Sequence, residues 1–409
     1  MEISDRLEIS LKLYKILFYM DNVKTLYFDY QSTTPVSEDV LLKMLPYFRE
    51  LFANPHSADH VLGWNSAAAI DNAAQQVACL IGADRDEIIF TSGATESNNQ
   101  ALLGLAKRSV LRGSRRKRIL LSAIEHKSVL SIGRVLEDQY GFNVETISVD
   151  RYGQILLSDL EQKLSDDVLM VSIMAVNNEI GTIQDIAGLS KVIKAHGAIF
   201  HCDAAQSPIA ISLKDYTQNV DLLSLSGHKM CGPKGIGALY IRRDLQDEIE
   251  PVIYGGGQQH GLRSGTVPTP LCVGMGAASE YMCLENLGNM RDALRIRRDR
   301  FIDMLSSLPW PTKLYGPEAN KRHPGNMSIG FLGFNAQDIL GAMQPHLAAS
   351  TGSACTSGIP EPSHVLKAIG LKGEEADSVI RFSLGFETTD SDLTRAAKLI
   401  WIALSKLSD

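Results

Sequence analysis

Apolar runs that stop at polar clusters recur through the first two thirds of the chain. Runs such as EIIFT, RILLSAI, VLMVSIMAV, AIFHC and VDLLSLS alternate with segments of helical periodicity. Strands that are apolar along their whole length are typical of a sheet covered by helices on both faces. The pattern therefore predicts an α/β fold with a mostly parallel or mixed sheet. In such sheets ligands bind outside the carboxyl ends of the strands, where these polar clusters lie.

The pattern changes after the glycine-rich segment YGGGQQHGLRSGT, where a helical region follows from about residue 271 to 308. Strands near NMSIGFL and IRFSLG, with helices around them, then predict a small α+β domain. The resulting division is an N-terminal extension at 1–25, a large domain at 26–270 and a small C-terminal domain at 271–409. Within the extension, LEISLKLYKILFYM is read as an amphipathic helix. A long helix is also predicted at about 66–80, after a polar loop at 53–64.

Composition and charge narrow the classes of function. The chain has 409 residues, of which 44% are hydrophobic and 21% charged, as in ordinary globular proteins. A net charge of -7 argues against direct nucleic-acid binding. The six cysteines lack C-x-x-C spacing, which indicates neither a disulfide framework nor a metal site, so a reducing cytoplasm is the simplest location. No apolar run reaches the about 20 residues of a membrane-spanning helix.

The basic segment KRSVLRGSRRKR, residues 107–118, is the one cluster of charge in the sequence. It is typical of a solvated loop, and docking of an acidic partner or a nucleic acid is the alternative.

Lys229 stands out because it follows Ser-Gly-His at the end of an apolar run and precedes a Gly/Pro-rich turn. Burial lowers the pKa of a lysine and makes its amine a nucleophile that can form a Schiff base. An exposed loop is the competing interpretation of the same tripeptide. The other polar clusters at strand ends distinguish a Schiff-base lysine from an exposed loop.

Four of those clusters supply candidate groups. TSGATESN, residues 91–98, places Thr95 at a helix start that suits a phosphate, although a Ser/Thr helix cap looks the same. EHKSV carries His126, a ring that could stack on a flat cofactor or act only as a polar residue. VNNEIG and HCDAAQS contribute polar side chains, among them Asp203, a buried aspartate that needs a cationic partner such as a pyridinium nitrogen. With Lys229, Ser226 and His228, they outline a pyridoxal phosphate site.

Cys355 lies in STGSACTSGIPEPSHVL, a stretch of small residues without periodicity that predicts an exposed, mobile loop. Because cysteines usually prefer burial, a cysteine in such a loop indicates a reactive thiol, with an incidental free thiol as the alternative.

The sequence resembles the cysteine desulfurases, the NifS/IscS-type branch of the fold-type I pyridoxal phosphate enzymes. The resemblance runs from about residue 26 to 399, and nine motifs occur in the family's order: DYQSTTP, FTSGATESNN, EHKSVL, VNNEIGTIQDI, HCDAAQS, SLSGHKMCGPKGIGALY, GLRSGT, TGSACTSGIPEPSHVL and IRFSLG.

The resemblance implies a role for each matched residue. Lys229 would bind the cofactor covalently, Asp203 would pair with its ring nitrogen, and His126 would stack on the ring and shuttle protons. The remaining contacts fall into three sets. Asn178 and Gln206 would contact the ring substituents. The phosphate would be bound by Ala94, Thr95, Ser226 and His228, with Thr266 from the second subunit of a homodimer. Arg381 and Asn178 would bind the substrate carboxylate.

The resemblance further implies the reaction. Cys355 would take the sulfur of L-cysteine, leaving L-alanine and a persulfide that passes to an acceptor protein. Iron-sulfur cluster assembly, tRNA thiolation and DNA phosphorothioation are the pathways that such an acceptor could serve. A selenocysteine lyase or another lyase of the same fold, and a non-catalytic scaffold, are the alternatives.

Two positions depart from the family pattern. Gln31 stands where the family usually has a small residue, and GFETT follows Arg381 where GRFTT is more common. Both bear on fine substrate contacts and not on the type of reaction.

Overall fold

A computed structural model of the chain describes residues 25–352 and 363–408. The predicted N-terminal amphipathic helix and Cys355 both lie outside the described residues. The strands are β1 Leu26–Tyr27, β2 Ile88–Thr91, β3 Arg118–Ser122, β4 Asn143–Ile147, β5 Val168–Ser172, β6 Ile199–Asp203, β7 Leu222–Ser226, β8 Gly237–Ile241, β9 Thr312–Tyr315, β10 Asn326–Phe331, β11 Leu347–Ala348 and β12 Val379–Ser383.

Helices are interspersed with these strands along the chain. They are α1 Glu38–Met44, α2 Pro46–Arg49, α3 Val61–Ile81, α4 Ala94–Leu111, α5 Lys127–Tyr140, α6 Leu157–Lys163, α7 Ile186–Ala195, α8 Ser207–Ala210, α9 Thr269–Tyr281, α10 Leu287–Ser306, α11 Ala336–Ala342, α12 His364–Ala368, α13 Gly373–Asp377 and α14 Asp390–Ser408.

Within the described residues the main sheet has seven strands in the order β2-β8-β7-β6-β5-β3-β4. Pairing is parallel except at β8, which is antiparallel to both β2 and β7. Alternate residues of one strand pack on opposite faces, as the pleat requires: Leu120 belongs to one buried apolar cluster, while Ile119 and Leu121 belong to another. The predicted α/β fold, with a sheet covered on both faces, is confirmed.

A second, three-stranded antiparallel sheet has the order β12-β10-β9 and lies with the C-terminal helices. The first described strand also belongs to this part of the protein, because Leu26 pairs with Leu347 in a parallel β1–β11 bridge. Conversely, α9 packs on α3, and Gly276 comes so close that an added Cβ would lie 2.7 Å from the Ala73 Cα. The division at residue 270 stays a prediction, and these contacts tie its two parts together.

Two helix boundaries differ from the sequence-based expectations. The long helix begins at Val61, inside the expected polar loop, because His60 caps it: the Gly63 N–H donates to His60 Nδ1 at 3.1 Å. Histidine is an uncommon cap, so the sequence carried little signal of that start. The helical region at 271–308 divides into α9 and α10. Among the described residues, no helix is long and apolar enough to cross a membrane.

Candidate active site

A cavity of about 550 Å³ opens at the carboxyl ends of the parallel strands. The end of β6 supplies Asp203 and the end of β7 supplies Ser226. The cavity brings together these predicted site residues: Ala94, Thr95, His126, Asn178, Asp203, Gln206, Ser226, His228, Lys229 and Arg381. Residues 31–33, which precede β2 in the chain, form another wall of the cavity.

One wall is the N-terminus of α4. Gly93 precedes the helix with φ +152°, in a region that favours glycine, and Ala94 and Thr95 form its first turn. The helix is 18 residues long, so the unpaired N–H groups and the positive dipole end suit an anion at this wall.

Lys229 lies in a short 3₁₀ turn, Gly227–Lys229, directly after β7. Its Nζ donates to the carbonyl oxygen of Gln31 at 2.5 Å and to that of Ser32 at 2.7 Å. Two neutral carbonyl groups therefore fix the lysine side chain within the cavity. They hold the amine next to the segment that precedes α1.

Asp203 is 4% exposed and is held by two hydrogen bonds. Its Oδ1 accepts from the Ala205 N–H at 2.9 Å, and its Oδ2 accepts from Asn98 Nδ2 at 2.8 Å. Asn98 lies on α4 and also donates to Ser128 Oγ at 2.9 Å. A buried polar network thus reaches from the aspartate to the start of α5.

His126 caps α5 and joins the same network. Its Nδ1 accepts from the Ser128 N–H at 3.1 Å, so in the neutral ring the proton is on Nε2. Burial lowers the pKa of His126, and the negative charge of Asp203 opposes that shift only in part. The ring is therefore neutral at physiological pH, with its proton on Nε2.

Glu125 lies behind these residues and is fully buried. Its Oε1 accepts from the Met174 N–H at 2.5 Å. Burial, with the negative charge of Asp203, raises the pKa of Glu125 well above its usual range. Burial thus favours the protonated form of the glutamate, which adds no second negative charge beside Asp203.

His228 and Gln206 complete the walls. His228 Nδ1 lies 3.1 Å from Thr33 Oγ1, and burial, together with the positive charge of Lys229, lowers the pKa of His228 to about 4. Gln206 donates from Nε2 to the Gln31 carbonyl oxygen at 2.9 Å. Both side chains therefore line the cavity as neutral hydrogen-bonding groups.

Arg381 lies on β12 and connects the C-terminal sheet to the cavity. Its Nη2 lies 2.6 Å from Asp29 Oδ1, 2.7 Å from Ser32 Oγ and 2.9 Å from Ser350 Oγ, and these oxygens share its two hydrogens. Its Nη1 donates to the Asn178 carbonyl oxygen at 2.8 Å. The guanidinium is thus paired with one carboxylate and oriented by the backbone of the predicted substrate-binding residue Asn178.

Two predicted site residues are not placed in this cavity. Thr266, which we expected to act from a second subunit, is exposed and does not line the cavity. Cys355 lies outside the described residues. Of the two residues that flank 353–362, Gly352 lines the cavity. The other, Ser363, donates from Oγ to Glu179 Oε2 at 2.5 Å.

Sequence reasoning did not single out Asn98, Ser128, Glu125 or Asp29. Asn98 lies in TSGATESNN and Glu125 in EHKSVL, motifs in which other residues were the predicted site residues. The burial of these two polar side chains depends on hydrogen-bond partners from distant strands. The only signal was a polar side chain at a position facing the core.

Three arginines of the basic segment 107–118, Arg108, Arg112 and Arg118, pair with neighbouring carboxylates. Arg108 Nη1 lies 2.6 Å from Glu250 Oε1, and Arg118 Nε lies 2.7 Å from Glu145 Oε1. Arg116 donates to the Val168 carbonyl oxygen at 2.6 Å. These contacts favour a structural role for the segment over a docking surface.

Comparisons with known proteins agree with this geometry. The aminotransferase class-V family matches residues 26–395. The cysteine desulfurase IscS of Rickettsia prowazekii is 44% identical over 382 residues, which cover 93% of this chain and 92% of that protein. Among solved structures, a NifS-like protein superposes with a TM-score of 0.86 at 33% identity, covering 93% of this chain and 99% of that one. A structure of SspA in complex with cysteine gives a TM-score of 0.76 at 37% identity, with coverage of 88% and 99%.

The chain therefore belongs to the aminotransferase class-V family. Within that family it belongs with the cysteine desulfurases, whose cofactor is pyridoxal 5'-phosphate. The cavity fits this cofactor: a lysine amine, a buried carboxylate and a helix N-terminus suit its aldehyde, ring nitrogen and phosphate, respectively.

Proposed function

We propose that this protein is a cysteine desulfurase that converts L-cysteine to L-alanine and leaves a persulfide on Cys355. The observation that carries the proposal is the meeting of Lys229, Asp203, His126 and Arg381 in one cavity that Gly352 also lines. The cofactor supplies an electron sink when bound.

The residues around the cofactor would each perform one task. Lys229 would hold the cofactor and, once freed from it, move a proton at the substrate's α-carbon. Asp203, kept in place by Asn98 and Ala205, would keep the ring nitrogen protonated. Ala94, Thr95, Ser226 and His228 would bind the phosphate, and Gln206 and Asn178 would meet the ring substituents. His126, neutral and fixed by Ser128, would cover the ring.

Cys355 would supply the thiolate that attacks the substrate sulfur. The bond between that sulfur and the substrate carbon breaks, a sulfur–sulfur bond forms, and the carbon takes a proton to give alanine. Among the described residues, no cysteine lines the cavity. Cys231 is two residues from Lys229, but burial raises the pKa of its thiol to about 11. Gly352, which precedes the Cys355 segment, lines the cavity and supports this role.

The experiment that tests this function follows the cofactor and the product together. The purified enzyme should show the absorbance band of a lysine-bound cofactor and should release alanine from L-cysteine. Lys229→Ala should lose both, because it removes the amine that would form the linkage. An alanine yield that is unchanged in Lys229→Ala would reject the proposal.

A homodimer fits the distribution of exposed apolar side chains. A cluster in and around α1 to α3 is more than 40% exposed and comprises Leu41, Leu42, Leu45, Phe48, Phe52, Val61, Leu62 and Trp64. A second copy that packs on this apolar surface would remove it from water, which stabilises the assembly. It would also bring its Thr266 toward the N-terminus of α4, where the phosphate would bind. Sedimentation velocity of the wild type and of Phe48→Asp with Trp64→Asp tests it. A monomeric wild type would contradict the dimer.

The sulfur acceptor is a further protein, and iron-sulfur assembly, tRNA thiolation and DNA phosphorothioation remain the candidate pathways. We place the protein in the cytoplasm because its six cysteines lack the spacing of a disulfide framework, which fits a reducing compartment. Direct nucleic-acid binding has no support from the net charge of -7 or from the paired basic segment.

A further inference from the structure

Gln31 carries a buried hydrogen-bond donor at the wall of the active site. The residue is 2% exposed and lines the cavity beside Lys229 and Arg381. Its backbone is fixed from both sides, since its N–H donates to Ser383 Oγ at 2.9 Å and its carbonyl oxygen accepts from Lys229 Nζ at 2.5 Å. Among the described residues, no group accepts from its Nε2.

The orientation of the Gln31 amide follows from a chain of hydrogen bonds that begins at Arg322. Arg322 has only donors, and its Nη1 lies 3.0 Å from Asn326 Oδ1, which must therefore be the oxygen of that amide. Asn326 then donates from Nδ2 to Gln31 Oε1 at 2.6 Å. The other end of the Gln31 side chain is consequently the NH₂ group, and it cannot turn into an acceptor without breaking this chain.

Two of the three guanidinium nitrogens of Arg381, Nη1 and Nη2, already donate to protein groups. The two hydrogens of Nη2 are shared among three nearby oxygens, of Asp29, Ser32 and Ser350, and Nη1 donates to Asn178. Its Nε, which shares an edge of the guanidinium with Nη2, is buried and has no partner among the described residues. A carboxylate therefore cannot take a two-pronged grip on Arg381 alone, because such a grip needs two free donors on one edge.

We propose that Gln31 Nε2 is the second donor for the substrate carboxylate, one oxygen of which binds Arg381 and the other Gln31. The inference rests on the proposed function. Two cavity-lining residues each carry a buried donor without an acceptor among the described residues. Such donors call for an acceptor group, because an unmet buried donor destabilises the protein until a ligand accepts from it. A neutral amide suits this position, since Asp29 already balances part of the positive charge of Arg381. Gln31 thus determines specificity for an α-carboxylate.

Binding of the product tests the inference without turnover. Calorimetric titration of the holoenzyme with L-alanine should show binding weakened about 10- to 100-fold in Gln31→Glu, which keeps the size of the side chain and the bond from Asn326 but replaces the donor by a negative charge. Gln31→Leu should weaken it less. Ethylamine, which is alanine without the carboxylate, should bind the wild type and both variants equally.

Gln184→Leu is the matched control. Gln184 is 6% exposed, donates to the Gly153 carbonyl oxygen at 2.6 Å and lies outside the cavity, so its loss should lower thermal stability and leave L-alanine binding unchanged. Unchanged L-alanine affinity in Gln31→Glu, or an equal loss for ethylamine, would overturn the inference. Failure of the wild type to convert cysteine would instead reject the proposed function, because the titration does not depend on conversion.

Discussion

Asn98 donates to Asp203 across 2.8 Å, from the first turns of α4 to the end of β6. The bond fixes the carboxylate that would face the cofactor's ring nitrogen, and it connects the helix that would bind the phosphate to the strand that would bind the ring. Asn98 is fully buried, so its amide has no alternative partner in water. The pair therefore couples two of the three anchoring points of the cofactor.

Replacing Asn98 should weaken cofactor binding more than it weakens the fold. A hydrogen bond to a charged group contributes about 1.5 to 3 kcal/mol, so Asn98→Ala should reduce affinity for pyridoxal phosphate about 10- to 100-fold. Titration of the apoenzyme, followed by absorbance, measures the change. Asn99→Ala is the control, because Asn99 bonds only to the Thr95 carbonyl oxygen of its own helix. Equal affinities in the two variants would contradict the role of Asn98.

His201 should make the protein sensitive to acid. It is fully buried between β5 and β7, with Nδ1 2.8 Å from Ser172 Oγ and Nε2 3.1 Å from Ser224 Oγ, and burial lowers its pKa to about 4. The unfolded chain takes up this proton near pH 6.5 and the folded protein only near pH 4. Its contribution to stability is therefore present above about pH 6.5 and is lost as the pH falls toward 4.

Between about pH 7 and pH 5 this one group should cost about 2 kcal/mol of the free energy of unfolding. Urea denaturation at both values measures the loss, and His201→Asn should show a smaller loss than the wild type. His260→Asn, at an exposed position, should keep the full pH dependence. An identical pH slope in the wild type and His201→Asn would show that this histidine titrates normally.

The contact between α9 and α3 should not tolerate even a methyl group at Gly276. An added Cβ would lie 2.7 Å from the Ala73 Cα, so Gly276→Ala should lower stability by about 1 to 3 kcal/mol through overpacking. Gly288→Ala serves as the control on a neighbouring helix, since nothing lies within 4 Å of a Cβ there. Helix propensity makes that change neutral or slightly stabilising. Equal thermal midpoints in Gly276→Ala and the wild type would show that α9 and α3 can move apart without a cost in stability.

The local pattern of the sequence was sufficient for the architecture and for most residues of the cavity wall. Lys229, Asp203 and His126 each follow an apolar strand, and parallel strands bring such positions to one edge of a sheet. The start of α3 could not be predicted in this way, because it depends on the cap by His60.

The polar network behind the site could not be predicted either. Glu125 bonds to the backbone of Met174, 49 residues away, and Gln31 bonds to Asn326, 295 residues away. Such partners are determined by the packing of strands and domains and not by local periodicity. The unusual Gln31 was visible as a departure from a family pattern, but its oriented amide appeared only with Asn326 and Arg322 in place.

The central claim is that Cys355 receives the sulfur. The most direct measurement is mass spectrometry of the intact holoenzyme and of its Cys355 peptide after mixing with one equivalent of L-cysteine, without reductant. We expect one added sulfur atom on that peptide, with one alanine released, and neither in Cys355→Ala. Undiminished release of sulfide and alanine by Cys355→Ala, or the added sulfur on another cysteine, would contradict it.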